Sequence, residues 1–123
     1  MCMKTSSCKS KGRLLQQLVR DRICKLLKPY GVVAEDVKST SMGVSGVDIQ
    51  LSPFAKQFLP IAAECKSMKS VAVYKWYKQG KNNTKAGEET VLCIKQNNDK
   101  PLVVVDLDHY LSLWKSKIDY EDL

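Results

Sequence analysis

Residues 43–66, GVSGVDIQLSPFAKQFLPIAAECK, decide how the rest of the chain is read. In Val47-Asp48-Ile49-Gln50-Leu51, apolar and polar residues alternate. Strand side chains alternate between faces, so Asp48 and Gln50 point one way while Val47, Ile49 and Leu51 point the other. Ile61-Ala62-Ala63-Glu64-Cys65-Lys66 alternates likewise, with Ala62, Glu64 and Lys66 opposite Ile61, Ala63 and Cys65. Consecutive strands commonly pair, and if these two do, Asp48, Glu64 and Lys66 share one side of a sheet. Between them, Ser52-Pro53 reads as an N-cap with proline at the first helical position, and Pro60 closes a brief helical excursion.

Two carboxylates and an ammonium brought together have a chemical use. One or two carboxylates, completed by waters and substrate phosphate, are what a Mg2+ ion takes. Such an ion polarises a phosphodiester and acidifies a bound water, and a neighbouring lysine can orient that water or offset charge building on phosphorus. Phosphodiester hydrolysis is the expected chemistry of the pattern.

The 123 residues suit one domain with a modest core, for which dimerisation would add burial. The five cysteines form no CxxC pair, which excludes a zinc knuckle and gives no secreted disulfide framework. A signal peptide's apolar core and any bilayer-length apolar run are missing, so a soluble protein of a reducing, cytoplasmic compartment is expected. The formal net charge is +7. Residues 1–30 carry eight basic side chains against Asp21 alone, and Lys66, Lys69, Lys75, Lys78, Lys81 and Lys85 form a second basic run. Two such segments flanking a carboxylate pair are what a phosphate backbone would meet, although lysine-rich helix faces are also ordinary solvated surface. Lys11, Arg13, Arg20, Lys69, Lys75, Lys78 and Asn82 are the candidate DNA contacts.

Residues 10–28 read as a helix capped by Ser10 and stopped by Pro29 and Gly31, with Leu15, Leu18, Ile23 and Leu27 in its apolar stripe and Arg13, Gln16, Gln17 and Arg20 on another face. Residues 32–38 make a weak strand, and STSMGVSG, residues 39–46, either turns the chain or lets backbone approach a ligand. Ser70 is available as a cap for a helix over residues 71–83, packing through Val73, Trp76, Tyr77 and Gly80. Buried-looking strands are expected at 90–95 and 102–107, then a helix over 108–117 packing through Tyr110, Leu111 and Trp114. The first nine residues read as a flexible basic arm and the last six as a frayed tail. His109, the only histidine, has no partner at ligand spacing, and Cys65 falls on the apolar face without a general base.

The order of a helix, a strand, the Asp48 strand, the Glu64-Cys65-Lys66 strand, a helix bearing Gln79 and a further strand resembles the PD-(D/E)xK nuclease superfamily, and within it the small Holliday-junction resolvases. The segments KGRLLQQLVRD, SGVDIQLSP, ECKS and WYKQGKNN resemble, more closely, short resolvase-like nucleases encoded by bacteriophages. The likeness spans residues 9–106, although D…ExK alone is a degenerate signal. It implies an α/β fold in a single domain, with a restriction-endonuclease-like mixed β-sheet flanked by helices in the order α-β-β-β-α-β-β-α, and a homodimer that cuts opposed strands of branched DNA. By position, Asp48, Glu64 and the Cys65 carbonyl would hold Mg2+ or Mn2+, Lys66 would assist the attacking water, and Gln79 would lie near metal-bound water or phosphate. Two departures stand out: Val47 replaces the motif's proline, and Gln16 or Gln17 stands where archaeal resolvases keep a glutamate. These glutamines and Ser45 are candidates to touch metal-bound water or phosphate. A nickase or single-strand nuclease of the same chemistry, or a non-catalytic DNA-binding relative, stays open beside the resolvase reading.

Overall fold

The computed structural model describes residues 5–41, 45–67 and 72–121. Helix α1 (Thr5–Leu27) begins five residues ahead of the expected start, so the predicted flexible arm is in part helical. Nothing in TSSCK breaks a helix, and Ser10 and Gly12 are tolerated inside one. A single 3-10 turn, Lys28–Tyr30, ends at Gly31 in the left-handed conformation at φ 90°. Next comes a second 3-10 turn, Ala34–Asp36, where the Val33 amide donates to the Asp36 carboxylate at 2.9 Å, and strand β1 is thereby shortened to Val37–Ser39.

Strand β2 (Ile49–Leu51) follows, then helix α2 (Pro53–Phe58), capped by Ser52, whose Oγ accepts from the Ala55 amide at 3.1 Å. Strand β3 is Ile61–Ser67, helix α3 Val73–Asn82, strand β4 Glu89–Lys95, strand β5 Leu102–Val104 and helix α4 Leu107–Glu121. The observed order is therefore α-β-β-α-β-α-β-β-α. The expected order omitted α2, whose cap, Pro53 and Pro60 make it a separate element of six residues. Ala72 takes the N-cap position of α3, and the proposed cap Ser70 lies outside the described residues.

The five strands form one mixed sheet in the order β1-β2-β3-β4-β5. Neighbours pair antiparallel except β3 with β4, which run parallel with Glu64 beside Leu92 and Cys65 beside Cys93. The parallel pair needs a crossover, and α3 supplies it. On one face, α1 lays Leu15, Ile23 and Leu27 over Val37, Ile49, Ala63, Cys65 and Cys93. Each fully buried side chain of this size contributes about 1.5–3 kcal/mol. On the other face α3 buries Trp76 and Gly80 against β3 and β4, where Ala62 and Leu92 are also buried.

Two expectations fail at the carboxyl-terminal end. Strand β5 is not buried: Leu102 and Val103 are each 62% exposed, because α1 covers β1 to β3 and α3 covers β3 and β4, leaving the edge strand bare. Helix α4 continues to Glu121, through part of the expected frayed tail, and among the described residues no other element makes more than sparse contact with it. Tyr110, Leu111 and Trp114, expected to pack, are 48%, 53% and 46% exposed.

Candidate active site

Gly46, at φ 105°, turns the chain immediately ahead of β2, a conformation that favours glycine. Two bonds from Thr40 then hold the segment: its amide donates to the Asp48 carbonyl at 2.7 Å and its hydroxyl to the Val47 carbonyl at 2.6 Å. From the other side the Asp48 amide donates to the Ala63 carbonyl at 3.1 Å. With its backbone fixed by both neighbours, Asp48 uses its side chain to continue the ladder, Oδ2 accepting from the Cys65 amide at 2.7 Å. The N–H and C=O of one strand residue lie along the same edge. The Cys65 carbonyl therefore turns toward Asp48 as well.

Glu64 lies on the α3 face, with Gly80 directly over it: a Cβ on Gly80 would stand 3.2 Å from the Glu64 Cβ and 3.3 Å from the Thr90 Cγ2. Glycine is what lets the helix approach the carboxylate this closely. The Glu64 side chain is only 7% exposed. Burial, then the charge of Asp48 beside it, push its carboxyl up from 4.5 to about 7, and Lys66 opposes the rise. The Lys66 ammonium is 3.9 Å from Glu64 Oε1, at the limit of an ion pair. Two carboxylates repelling each other in a partly dry site, with one lysine incompletely offsetting them, make a place where added positive charge is favoured.

Asp48, Glu64 and Lys66 thus lie together, with the Cys65 amide on the Asp48 carboxylate. Gln79 stands exposed on α3, one turn before Asn83 on the same flank of the helix. Asn83, where the sequence reading points to its neighbour Asn82, hydrogen-bonds the Glu64 carboxylate and reaches the Gly46 carbonyl at 3.5 Å. Its signal was its place four residues beyond Gln79, a spacing that keeps both on one helical flank. Beside this site a groove of about 480 Å3 is lined by Gln50, Lys56, Asn82, Asn83, Thr84 and Lys85.

Other candidates fall elsewhere. Gln16 is buried on α1, across the sheet from Glu64, and its Oε1 accepts from the Ser39 hydroxyl at 2.7 Å. Gln17 and Ser45 are exposed. Arg20 serves the scaffold: Nε donates to the Val37 carbonyl at 2.9 Å and Nη2 to the Ala34 carbonyl at 3.1 Å, which ties α1 to the 3-10 turn and β1. Lys11 donates to Asn97 Oδ1 at 2.9 Å, just beyond the carboxyl-terminal end of β4, and lines a groove there with Ser67 and Lys95. Arg13 is exposed on α1, Lys75, Lys78 and Asn82 are exposed on α3, and Lys69 lies outside the described residues. The described basic residues of α1 and α3 therefore sit on helices that cover opposite faces of the sheet, and those of α3 share the helix that lies over Glu64. His109 pairs at 3.6 Å with Glu89, away from the site. The Cys65 thiol is pushed up by its hydrogen bond with Cys93 and by burial, which removes it as a nucleophile.

Among the described residues no group of three or more His, Cys, Asp or Glu side chains is arranged to hold a metal ion by side chains alone. The donor set at Asp48 is two carboxylates and a backbone carbonyl, all hard oxygens. That composition, with the raised Glu64, fits a divalent cation that keeps several waters. No helix among the described residues is long and apolar enough to cross a membrane. Comparison with family models, curated proteins and solved structures finds no match to this chain.

Proposed function

We propose that this protein is a Mg2+- or Mn2+-dependent endodeoxyribonuclease of the PD-(D/E)xK type, acting inside the cell as a homodimer on branched DNA, four-way junctions foremost. The observation that carries this reading is the pairing of Asp48 with a buried Glu64 whose carboxyl is raised to about 7, beside the Lys66 ammonium. Isolated surface ion pairs do not bury a carboxylate against another carboxylate, and a site that does so is tuned for a cation or a proton.

Asp48, Glu64 and the Cys65 carbonyl would hold the cation, which when bound polarises the scissile phosphate and acidifies a water. The Cys65 amide fixes Oδ2 of Asp48, which holds its carboxylate beside that of Glu64. Asn83 orients the Glu64 carboxylate. Lys66 supplies an ammonium that orients the attacking water or offsets charge growing on phosphorus, and Gln79 would contact the flanking phosphate. Lys75, Lys78 and Asn82 on α3, with the groove at its end, give the DNA strand a cationic path on the site's own face.

The test is cleavage of end-labelled four-way junction, linear duplex and single strand in parallel, with Mg2+ or EDTA, using wild type and Asp48→Asn. Paired nicks near the branch point that need both metal and Asp48 are the expected result. Equal cutting of all three substrates would replace the junction reading by that of a general nuclease. Binding without cutting under any condition would leave a DNA-binding module.

A further inference from the structure

Helix α4 and the surface beside α1 are each incomplete. α4 carries Leu107, Tyr110, Leu111, Trp114 and Ile118 at three- and four-residue spacing, the stripe of a helix that lies against something. These side chains are 46–68% exposed. Alone in water a helix of fifteen residues is marginal, so its order implies cover. On the face that α1 only half covers, a groove of about 630 Å3 runs between α1 and β5, with Leu18, Ile23 and Leu26 on one wall, Leu102 and Val103 on the other and Cys93 in its floor. No residue of α4 lines it.

We infer that two copies of this chain exchange α4, each helix filling the α1–β5 groove of the other. Three observations select a second copy as the occupant. The groove and the stripe have the same apolar chemistry and lie on one chain without meeting, which is what a closed two-fold exchange requires. Only Val105 and Asp106 separate β5 from α4, and Asp106 caps the helix, its Oδ1 accepting from the Asp108 and His109 amides at 2.9 and 3.3 Å. The helix start is therefore anchored at the sheet while its stripe stays about half exposed among the described residues. Finally, Arg22 stands at the groove and the sequence of α1 is strongly basic, whereas that of α4 carries three acidic residues, Asp108, Asp119 and Glu121, against Lys115 and Lys117. The exposed apolar side chains of stripe and groove together offer on the order of 800 Å2, about one partner's share of a standard interface.

The exchange supplies the dimer on which the nuclease reading rests, and its test involves neither DNA nor metal, so its failure is distinguishable from a failure of metal-dependent cleavage at Asp48. Sedimentation of the full chain from about 1 to 100 μM, in EDTA, would compare wild type with Leu111→Asp in the helix and Leu26→Asp in the groove. Both positions are exposed in the single chain, at 53% and 58%, so circular dichroism of the variants is expected to match wild type. The expected result is a wild-type dimer whose Kd rises at least ~100-fold in either variant, since each change enters twice in a two-fold assembly. Trp114 emission should shift to the red on dilution, as Trp76 is already buried and stays so. A monomer at every concentration would overturn the inference and assign both surfaces to another occupant. A dimer insensitive to Leu26→Asp would also overturn it, placing helix against helix instead.

Discussion

Replacing Glu64 by glutamine tests the heart of the site without any substrate. In the folded chain its carboxyl is raised to about 7, against 4.5 for the free group, by burial first and the Asp48 charge second. Between those two values the folded protein holds a proton that the unfolded chain has lost. Stability therefore falls as pH rises through this window and stays low above it. The separation is worth on the order of 3 kcal/mol, at about 1.4 kcal/mol per pH unit. Glutamine keeps the shape and stays neutral, so Glu64→Gln should match wild type near pH 4.5 and exceed it by about 2–3 kcal/mol at pH 8. For a chain of this size that is a Tm difference of roughly 10 °C. Thermal denaturation of both proteins in EDTA, from pH 4.5 to 8, reads the difference directly, and taking the difference cancels the titrating groups that do not touch Glu64. Mg2+ should then raise the wild-type Tm at pH 8 and leave the variant's nearly unchanged. A variant-minus-wild-type difference that does not depend on pH would refute the crowded carboxylate pair.

Asp48→Asn should abolish cutting and spare or tighten junction binding, because it removes negative charge from the phosphate path; gel-shift and cleavage assays on one preparation separate the two effects. Arg20→Ala should cost about 1–3 kcal/mol in urea denaturation, as the Val37 and Ala34 carbonyls lose their donor, while the salt dependence of DNA binding stays as in wild type. Lys78→Ala should do the opposite, leaving stability alone and lowering the slope of log K against log salt by up to ~0.9. Gly80→Ala pushes a methyl to 3.2 Å from Glu64, so a lower Tm together with reduced turnover is expected; unchanged activity would mean that α3 can rise without moving the carboxylate.

Much of the site was legible because its information is local. The alternation in VDIQL and IAAECK assigns Asp48, Glu64 and Lys66 to faces before any pairing is known, and Ser52-Pro53 announces α2 through its own cap. Glu64's raised carboxyl was not legible, since it depends on Gly80 and Asp48 closing over it from distant segments. Nor was the role of Arg20. Periodicity put it on a polar face of α1 beside Arg13 and left open what that face meets; two carbonyls of the 3-10 turn and β1 meet it, and bind it into the scaffold.

Local order was enough to specify the mixture of helices and strands, the basic charge and the trio of Asp48, Glu64 and Lys66, because cap residues and periods of 2 and 3.6 act over a few neighbours. Which side of the sheet each helix covers was settled by packing between distant segments. By placing α1 opposite the carboxylates and α3 upon them, that packing separated the two lysine- and arginine-rich segments and brought Asn83 to Glu64. It also left α4 and β5 bare: an apolar stripe in a sequence says that a surface will be covered, and only the arrangement of the other elements decides whether the same chain can cover it.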